Sequence, residues 1–262
     1  MHSDHVELKA VDKQRQTLWS SQSADKTSPD GASDLKRVLN SKALISFSQS
    51  IRNIKEQHIY GYEMLVRGPI DSDIHRADQL FQAAKQHKLT DLLEVLSLET
   101  HLLNIAAIPP ECDYTVNIAP HLLFDKRVEK LLIAHPHAKR TKIELTEHLK
   151  VEDWLPINKK MDQLRQLGYE FWLDDVGCGF FDFELIEVVK PEVVKLCIKI
   201  VSQLPSNQSI KTDIKAVVNA VHQYGGKVLA EGIETQAQLS IAQSLDIDYA
   251  QGYYFDKPKK FK

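Results

Sequence analysis

Short runs with strand composition alternate with runs of helical periodicity along most of the chain, and this rhythm restricts the fold more than any other feature. The strand-like runs are residues 43–47, 60–66, 114–118, 141–145, 169–173, 193–197, 227–230 and 249–255. Between and before them, apolar residues recur at helical spacing over 34–40, 77–86, 89–105, 125–134, 156–167, 182–188, 210–224 and 235–244. Asp34 stands where a cap belongs on the first of these, and Leu92, Leu93, Leu96, Leu103 and Ile105 supply the apolar face of 89–105. Strand–helix alternation is the pattern of a parallel α/β protein. Eight strands favour a closed (β/α)8 TIM-type barrel over an open sheet, and no glycine-rich fingerprint follows an early strand to argue otherwise. Residues 1–33 are polar and read as a tail or linker; 34–262 read as one domain.

Polar residues cluster at one end of the expected strands. Glu63 and Arg67 close the second strand, Asn117 the third and Glu144 the fourth. Asp174 and Asp175 end the apolar run Phe171-Trp172-Leu173, and a Gly177-Cys178-Gly179 loop follows them. Lys195, Glu231 and Gln251 stand at the ends of the remaining strands. In a barrel these ends converge on the face where active sites are built. Any one of them has a plainer reading: Glu63 and Arg67 as a surface ion pair, Asn117 as a turn residue, Lys195 as a solvated lysine, Glu231 as a helix cap. Together they make five carboxylates and an amide aimed at one mouth, which would repel one another without cations. Oxygen-only ligands select Mg²⁺ or Mn²⁺ over zinc.

The totals exclude several alternatives. A net charge of −3 argues against a nucleic-acid polymer as partner. No apolar run reaches the roughly 18–20 residues of a membrane span, so a cytoplasmic protein is expected. Cys112, Cys178 and Cys197 stand far apart, and an odd count fits a reducing compartment better than a disulfide framework. His135 and His137, beside Pro136, read as a solvated loop, and Lys257 to Lys262 as a solvated end.

The motifs, in order, resemble the EAL domain, the bacterial cyclic di-GMP phosphodiesterase family. Its E-x-L-x-R is matched by Glu63-Met64-Leu65-Val66-Arg67, its strand-end Asn by Asn117, and its E-L-T-E by Glu144-Leu145-Thr146-Glu147. Its paired acids are matched by Asp174-Asp175, its K-I-D by Lys195-Leu196-Cys197, its A-E-G-V-E-T by residues 230–235, and its Q-G-Y-x-F by residues 251–255. The resemblance implies a modified barrel with one antiparallel strand, a homodimer and a two-metal hydrolase that opens cyclic di-GMP to linear pGpG. Carried over by position, Glu63, Asn117, Glu144, Asp174 and Asp175 would hold Mg²⁺ or Mn²⁺. Glu231 would hold water at the metals and Lys195 would orient it. Arg67, with Leu65 and Gln251, would meet the substrate, and Glu147 and Glu234 would support the ligands. Two cations about 3.5–4 Å apart generate hydroxide at neutral pH and stabilise in-line displacement at phosphorus.

The chain departs from the family pattern at three places, the first being Met64 where the family has Ala, a change that a packed face should tolerate. The loop after the acids carries Cys178, Phe180, Phe181 and Asp182 where the family has Thr, Tyr and two Ser, and Cys197 replaces the Asp of K-I-D. These changes keep a second function class open, an EAL module that binds cyclic di-GMP or a protein without turnover. No sensor or cyclase domain precedes the barrel in this sequence, so regulation is expected through the tail, the dimer or a partner protein.

Overall fold

Eight strands close into a barrel in the computed structural model, which describes residues 31–146, 151–177 and 183–260. In chain order the elements are α1 (Gly31–Ser41), β1 (Ile45–Asn53), β2 (His58–Arg67), α2 (Ala77–Gln86), α3 (Thr90–Asn104), β3 (Asp113–Ile118), α4 (Lys126–Ala134) and β4 (Thr141–Leu145). They continue with α5 (Trp154–Gln166), β5 (Glu170–Val176), α6 (Phe183–Val189), β6 (Val193–Leu196), α7 (Ile198–Val201), α8 (Gln208–Gln223), β7 (Lys227–Ala230), α9 (Gln236–Ser244), β8 (Tyr249–Ala250) and β9 (Lys259–Lys260). Strands β2 to β8 pair in parallel in sequence order, and β1 closes the ring antiparallel to both β2 and β8. The antiparallel closure follows from a short connection. β1 and β2 are joined by a tight turn in which the Asn53 side chain accepts the backbone N–H groups of Lys55 and Glu56, and a turn that short can only return the chain antiparallel.

Alternation along the strands separates two cores. Tyr114, Val116, Ile118, Ile143, Leu145, Phe171, Leu173, Val194, Leu196 and Val228 face the helices in the main cluster. Ile51, Trp172, Val193 and Leu229 face inward, with Tyr60 and Tyr249 packed on them. Trp172 stacks on Tyr249 at 6.2 Å between centroids and on Tyr60 at 6.0 Å, so aromatic rings plug the barrel. Two residues beyond this plug, on the same strand faces, come Asp174, Lys195, Glu231, Gln251 and, on the antiparallel β1, Gln49. Period-two geometry thus builds a polar layer directly on an aromatic floor.

Several expectations need correction. β1 runs six residues past 47, because its second half pairs with β2 and β8. The closing strand is only Tyr249–Ala250. The chain then turns at Gly252 (φ +154°), where a Cβ would lie 2.1 Å from the Ile233 carbonyl oxygen. Lys259 and Lys260 are not a loose end: they pair with Ser48 and Phe47. Leu92 and Leu103 are exposed, because α3 is wedged between the main cluster (Val95, Leu98) and a second one (Leu93, Leu96) built with α1 and α2. α1 begins at Gly31, which places Asp34 in its first turn rather than at its cap. His135 is half-buried, 2.6 Å from the Tyr114 hydroxyl, and burial pulls its pKa down to about 4. Cys112 is a free buried thiol, whereas Cys197 is disulfide-bonded, so the cysteines are not all reduced.

Candidate metal centre at the barrel mouth

Lys195 is the hub of the polar layer. Its side chain is fully buried, and its Nζ lies 2.7 Å from Glu144 Oε2, 2.8 Å from Asp174 Oδ1, 2.9 Å from Glu231 Oε1 and 3.6 Å from Glu63 Oε1. The bond to Glu144 has hydrogen-bond geometry. The Asp174 oxygen makes a charge contact only, lacking a hydrogen-bond partner by angle. Four carboxylates from β2, β4, β5 and the end of β7 therefore share one ammonium. Burial alone would lower the Lys195 pKa, but Asp174, Glu144, Glu231 and Glu63 together hold it well above the ordinary lysine value. The excess of negative charge falls on the acids. Burial, with Glu63 and Asp174 nearby, raises Glu144 well above the usual carboxylate range despite the ammonium. Burial, with Asp174, Glu63 and Asp175 nearby, lifts Glu231 to about 8.

The remaining expected residues fall into three groups. Asn117 is half-buried and lies beside Glu144 in the β3–β4 ladder; among the described residues its side chain makes no hydrogen bond. Asp175 is half-buried with a left-handed backbone (φ +52°), at the point where the β5–β6 register slips. Gln251 donates to Glu63 Oε2 at 2.5 Å. Leu65 is half-buried opposite Phe47. Arg67 donates to the Val66 carbonyl and lies over the Phe47 ring at 5.5 Å; among the described residues it pairs with no carboxylate, which corrects the reading of Glu63 and Arg67 as an ion pair. Glu234 is exposed and is not brought to the cluster; its backbone N–H donates to Gln238 Oε1, the oxygen that also closes the α9 capping box with Thr235. Glu147 and the altered loop residues 178–182 lie outside the described residues.

Two polar residues escaped the sequence reading. Glu94, buried on α3, accepts the Ala119 N–H at 3.1 Å and so ties down the chain just past Asn117. Gln49, buried on β1, bonds to Gln251. The Ser48-Gln49-Ser50 run inside a strand was the available signal for Gln49; for Glu94, a lone acid on an apolar helix face carried none.

The donor set suits a hard divalent cation. All the available ligand atoms are oxygens. Glu144 Oε1 and Gln251 Oε1 are buried without a partner, so each has a lone pair that a cation could use. The carboxylates outnumber the ammonium they surround. As arranged, their oxygens converge on Lys195, and among the described residues no three acids stand at metal-ligand spacing.

An eight-stranded barrel with one antiparallel strand and an oxygen-rich mouth places the chain among TIM-like barrel proteins with an acidic site at the strand ends. More narrowly, the chain belongs to the EAL domain family, whose pattern matches residues 32–258. The fold matches an EAL domain protein of Listeria monocytogenes EGD-e with a TM-score of 0.80 and 23% identity, over 91% of this chain and 96% of that one. It also matches Klebsiella pneumoniae BlrP1, solved as a manganese/cy-diGMP complex, with a TM-score of 0.73 and 21% identity, over 83% of this chain and 56% of that one. A curated relative, the "Probable cyclic di-GMP phosphodiesterase PdeA" of Escherichia coli K12, is 25% identical over 235 residues, covering 86% of this chain and 32% of that protein. The chain thus spans about a third of that relative's length. Among the described residues no helix is long and apolar enough to cross a membrane.

Proposed function

We infer that the chain is a metal-dependent phosphodiesterase that opens cyclic di-GMP to linear pGpG. The observation that carries this reading is the ring of four carboxylates on Lys195, with an amide (Asn117) and a guanidinium (Arg67) that pairs with no carboxylate among the described residues at the same strand ends. Supporting it are family membership and the cyclic di-GMP named for relatives and structural neighbours. Glu63, Asn117, Glu144, Asp174 and Asp175 would hold Mg²⁺ or Mn²⁺, which would supply hydroxide at neutral pH and neutralise charge developing at phosphorus. Lys195, charged at every physiological pH, acts as a donor that orients the attacking water and not as its base. Glu231 would hold the water at the metals, its carboxylate accepting a hydrogen bond from it. Arg67 meets a phosphate oxygen, with Leu65 and Gln251 shaping the nucleotide's seat. Glu147 supports the ligands; Glu234, being exposed, can do so only if the chain around it moves. Water adds to phosphorus as one P–O bond of the ring breaks; the attacking water gives a proton up to solvent and the leaving oxygen takes one from solvent, so the step balances as hydrolysis by one water. A homodimer, a cytoplasmic setting and control by a partner protein complete the reading.

Incubation with cyclic di-GMP and Mn²⁺ or Mg²⁺, followed by chromatographic separation, should yield pGpG. Ca²⁺ should support binding but not turnover, because it takes more ligands at longer distances. Substrate that binds in Ca²⁺ yet survives long incubation with Mn²⁺ would favour the binding-only module, the class that the altered loop suggests.

The raised carboxyl groups predict a pH dependence. A carboxyl whose folded pKa lies above its ordinary value of 4.5 adds stability that is fully present below 4.5 and lost as pH rises through the folded value. The metal-free protein should therefore lose thermal stability between about pH 5 and pH 8 as Glu231 gives up its proton, and the raised Glu144 adds a loss of the same sign. Metal binding needs those protons gone, so the rise in Tm on adding Mn²⁺ should be larger at pH 8 than at pH 6. An equal rise at both would contradict the assignment.

A further inference from the structure

The hydrogen bonds around Gln251 have one consistent polarity, and it is set from outside the ring of acids. The anchor is the backbone carbonyl of Asp256, which can only accept. Gln49 Nε2 donates to it at 2.9 Å, which fixes the Gln49 amide and turns its Oε1 toward Gln251. Gln251 must then present Nε2, which donates to Gln49 Oε1 at 3.1 Å and to Glu63 Oε2 at 2.5 Å. The opposite rotamer would set the Gln251 oxygen against two acceptors. Gln251 Oε1 is left buried and without a partner. Asp256 is itself fixed, because its carboxylate accepts the Ser50 N–H and the following Lys259 and Lys260 pair with β1.

We propose that Gln49 is a positioning residue for the metal centre: it locks the Gln251 amide so that Nε2 holds Glu63 and Oε1 faces the site as an acceptor. Gln49 stands opposite Glu63 in the β1–β2 ladder, but its side-chain amide bonds to the Asp256 carbonyl and to Gln251, not to Lys195 or to the acids around it. It acts through Gln251, and through Gln251 on Glu63. The C-terminal segment that carries Asp256 thereby becomes part of the site's frame. The function of this lock rests on the metal-dependent reading above, but its geometry does not.

Two measurements separate the lock from that reading. In ¹⁵N-glutamine-labelled, metal-free protein, the Gln251 side-chain amide signal, identified by its loss in Gln251→Met, should shift in Gln49→Met. An unmoved signal would overturn the lock whatever the enzyme does. Calorimetric titration with Mn²⁺ then reads its consequence. Gln49→Met should weaken Mn²⁺ binding by about 10–100-fold, the usual cost of losing an outer partner, with Tm little changed. Because Gln49 acts through Gln251, the double variant should bind Mn²⁺ no more weakly than Gln251→Met alone. Additive losses, or a shifted amide with wild-type Mn²⁺ affinity, would overturn the positioning role. A wild type that binds Mn²⁺ but leaves cyclic di-GMP intact would remove the phosphodiesterase reading and leave this one standing.

Discussion

Lys195→Ala is expected to lose most turnover of cyclic di-GMP, by about 10²–10⁴-fold, while still binding it in Ca²⁺. The same substitution should have a second effect that a purely catalytic lysine would not show. Among the described residues Lys195 is the only cation in contact with Glu63, Glu144, Asp174 and Glu231, and it is fully buried. Removing one partner of a buried ion pair costs about 3–5 kcal/mol, because the other charge is left without compensation. For a chain of this size that corresponds to a fall in Tm of roughly 6–20 °C in the absence of metal. Acid pH should shrink the deficit by protonating the carboxylates, and Mn²⁺ should shrink it by replacing the lost positive charge. Calorimetric binding, product chromatography and thermal scans with and without Mn²⁺ read all three effects. Turnover near that of wild type would take Lys195 out of the mechanism. A metal-free Tm equal to that of wild type would mean the acids do not depend on it.

Glu144→Ala should be the other severe lesion, and its signature is different. Lys195 keeps Asp174 at 2.8 Å and Glu231 at 2.9 Å, so the metal-free fold should tolerate the change better than it tolerates loss of the lysine. Removing a carboxylate also relieves repulsion. What disappears is Glu144 Oε1, buried without a hydrogen-bond partner and so free to meet a cation. Turnover should fall by more than the about 10–100-fold cost of losing an outer partner, and excess Mn²⁺ should not restore it. Glu147→Ala, three residues on from Glu144 and of the opposite strand parity, should recover in part with excess Mn²⁺. Activity titrated against Mn²⁺ for the two variants decides the matter, and equal failure to recover would place Glu147 among the direct ligands.

The success and failure of the sequence reading divide along a physical line. Alternation on β4 puts Ile143 and Leu145 among the helices and turns Glu144 inward, and strand parity alone was enough to say so. Asp174 and Lys195 were legible for the same reason: each follows an inward apolar residue, Trp172 and Val193, by two positions. The lock on Gln251 was not legible, because its members are joined by contacts across the closed barrel, about 200 positions apart in the chain. Leu92 and Leu103 misled because α3 packs on two sides, which a single-stripe reading does not anticipate. Cys197 misled because a count of cysteines carries no information about which sulfurs meet.

The central claim is that the carboxylates gathered on Lys195 form a divalent-metal site. Anomalous diffraction from crystals soaked in Mn²⁺ tests it most directly, because it locates the ion without recourse to turnover. Anomalous density should lie in contact with the carboxylates of Glu144 and Asp174, with Lys195 Nζ withdrawn from at least one of the acids it now holds. Crystals with no anomalous density at the barrel mouth, or with Mn²⁺ bound only elsewhere on the protein, would contradict it.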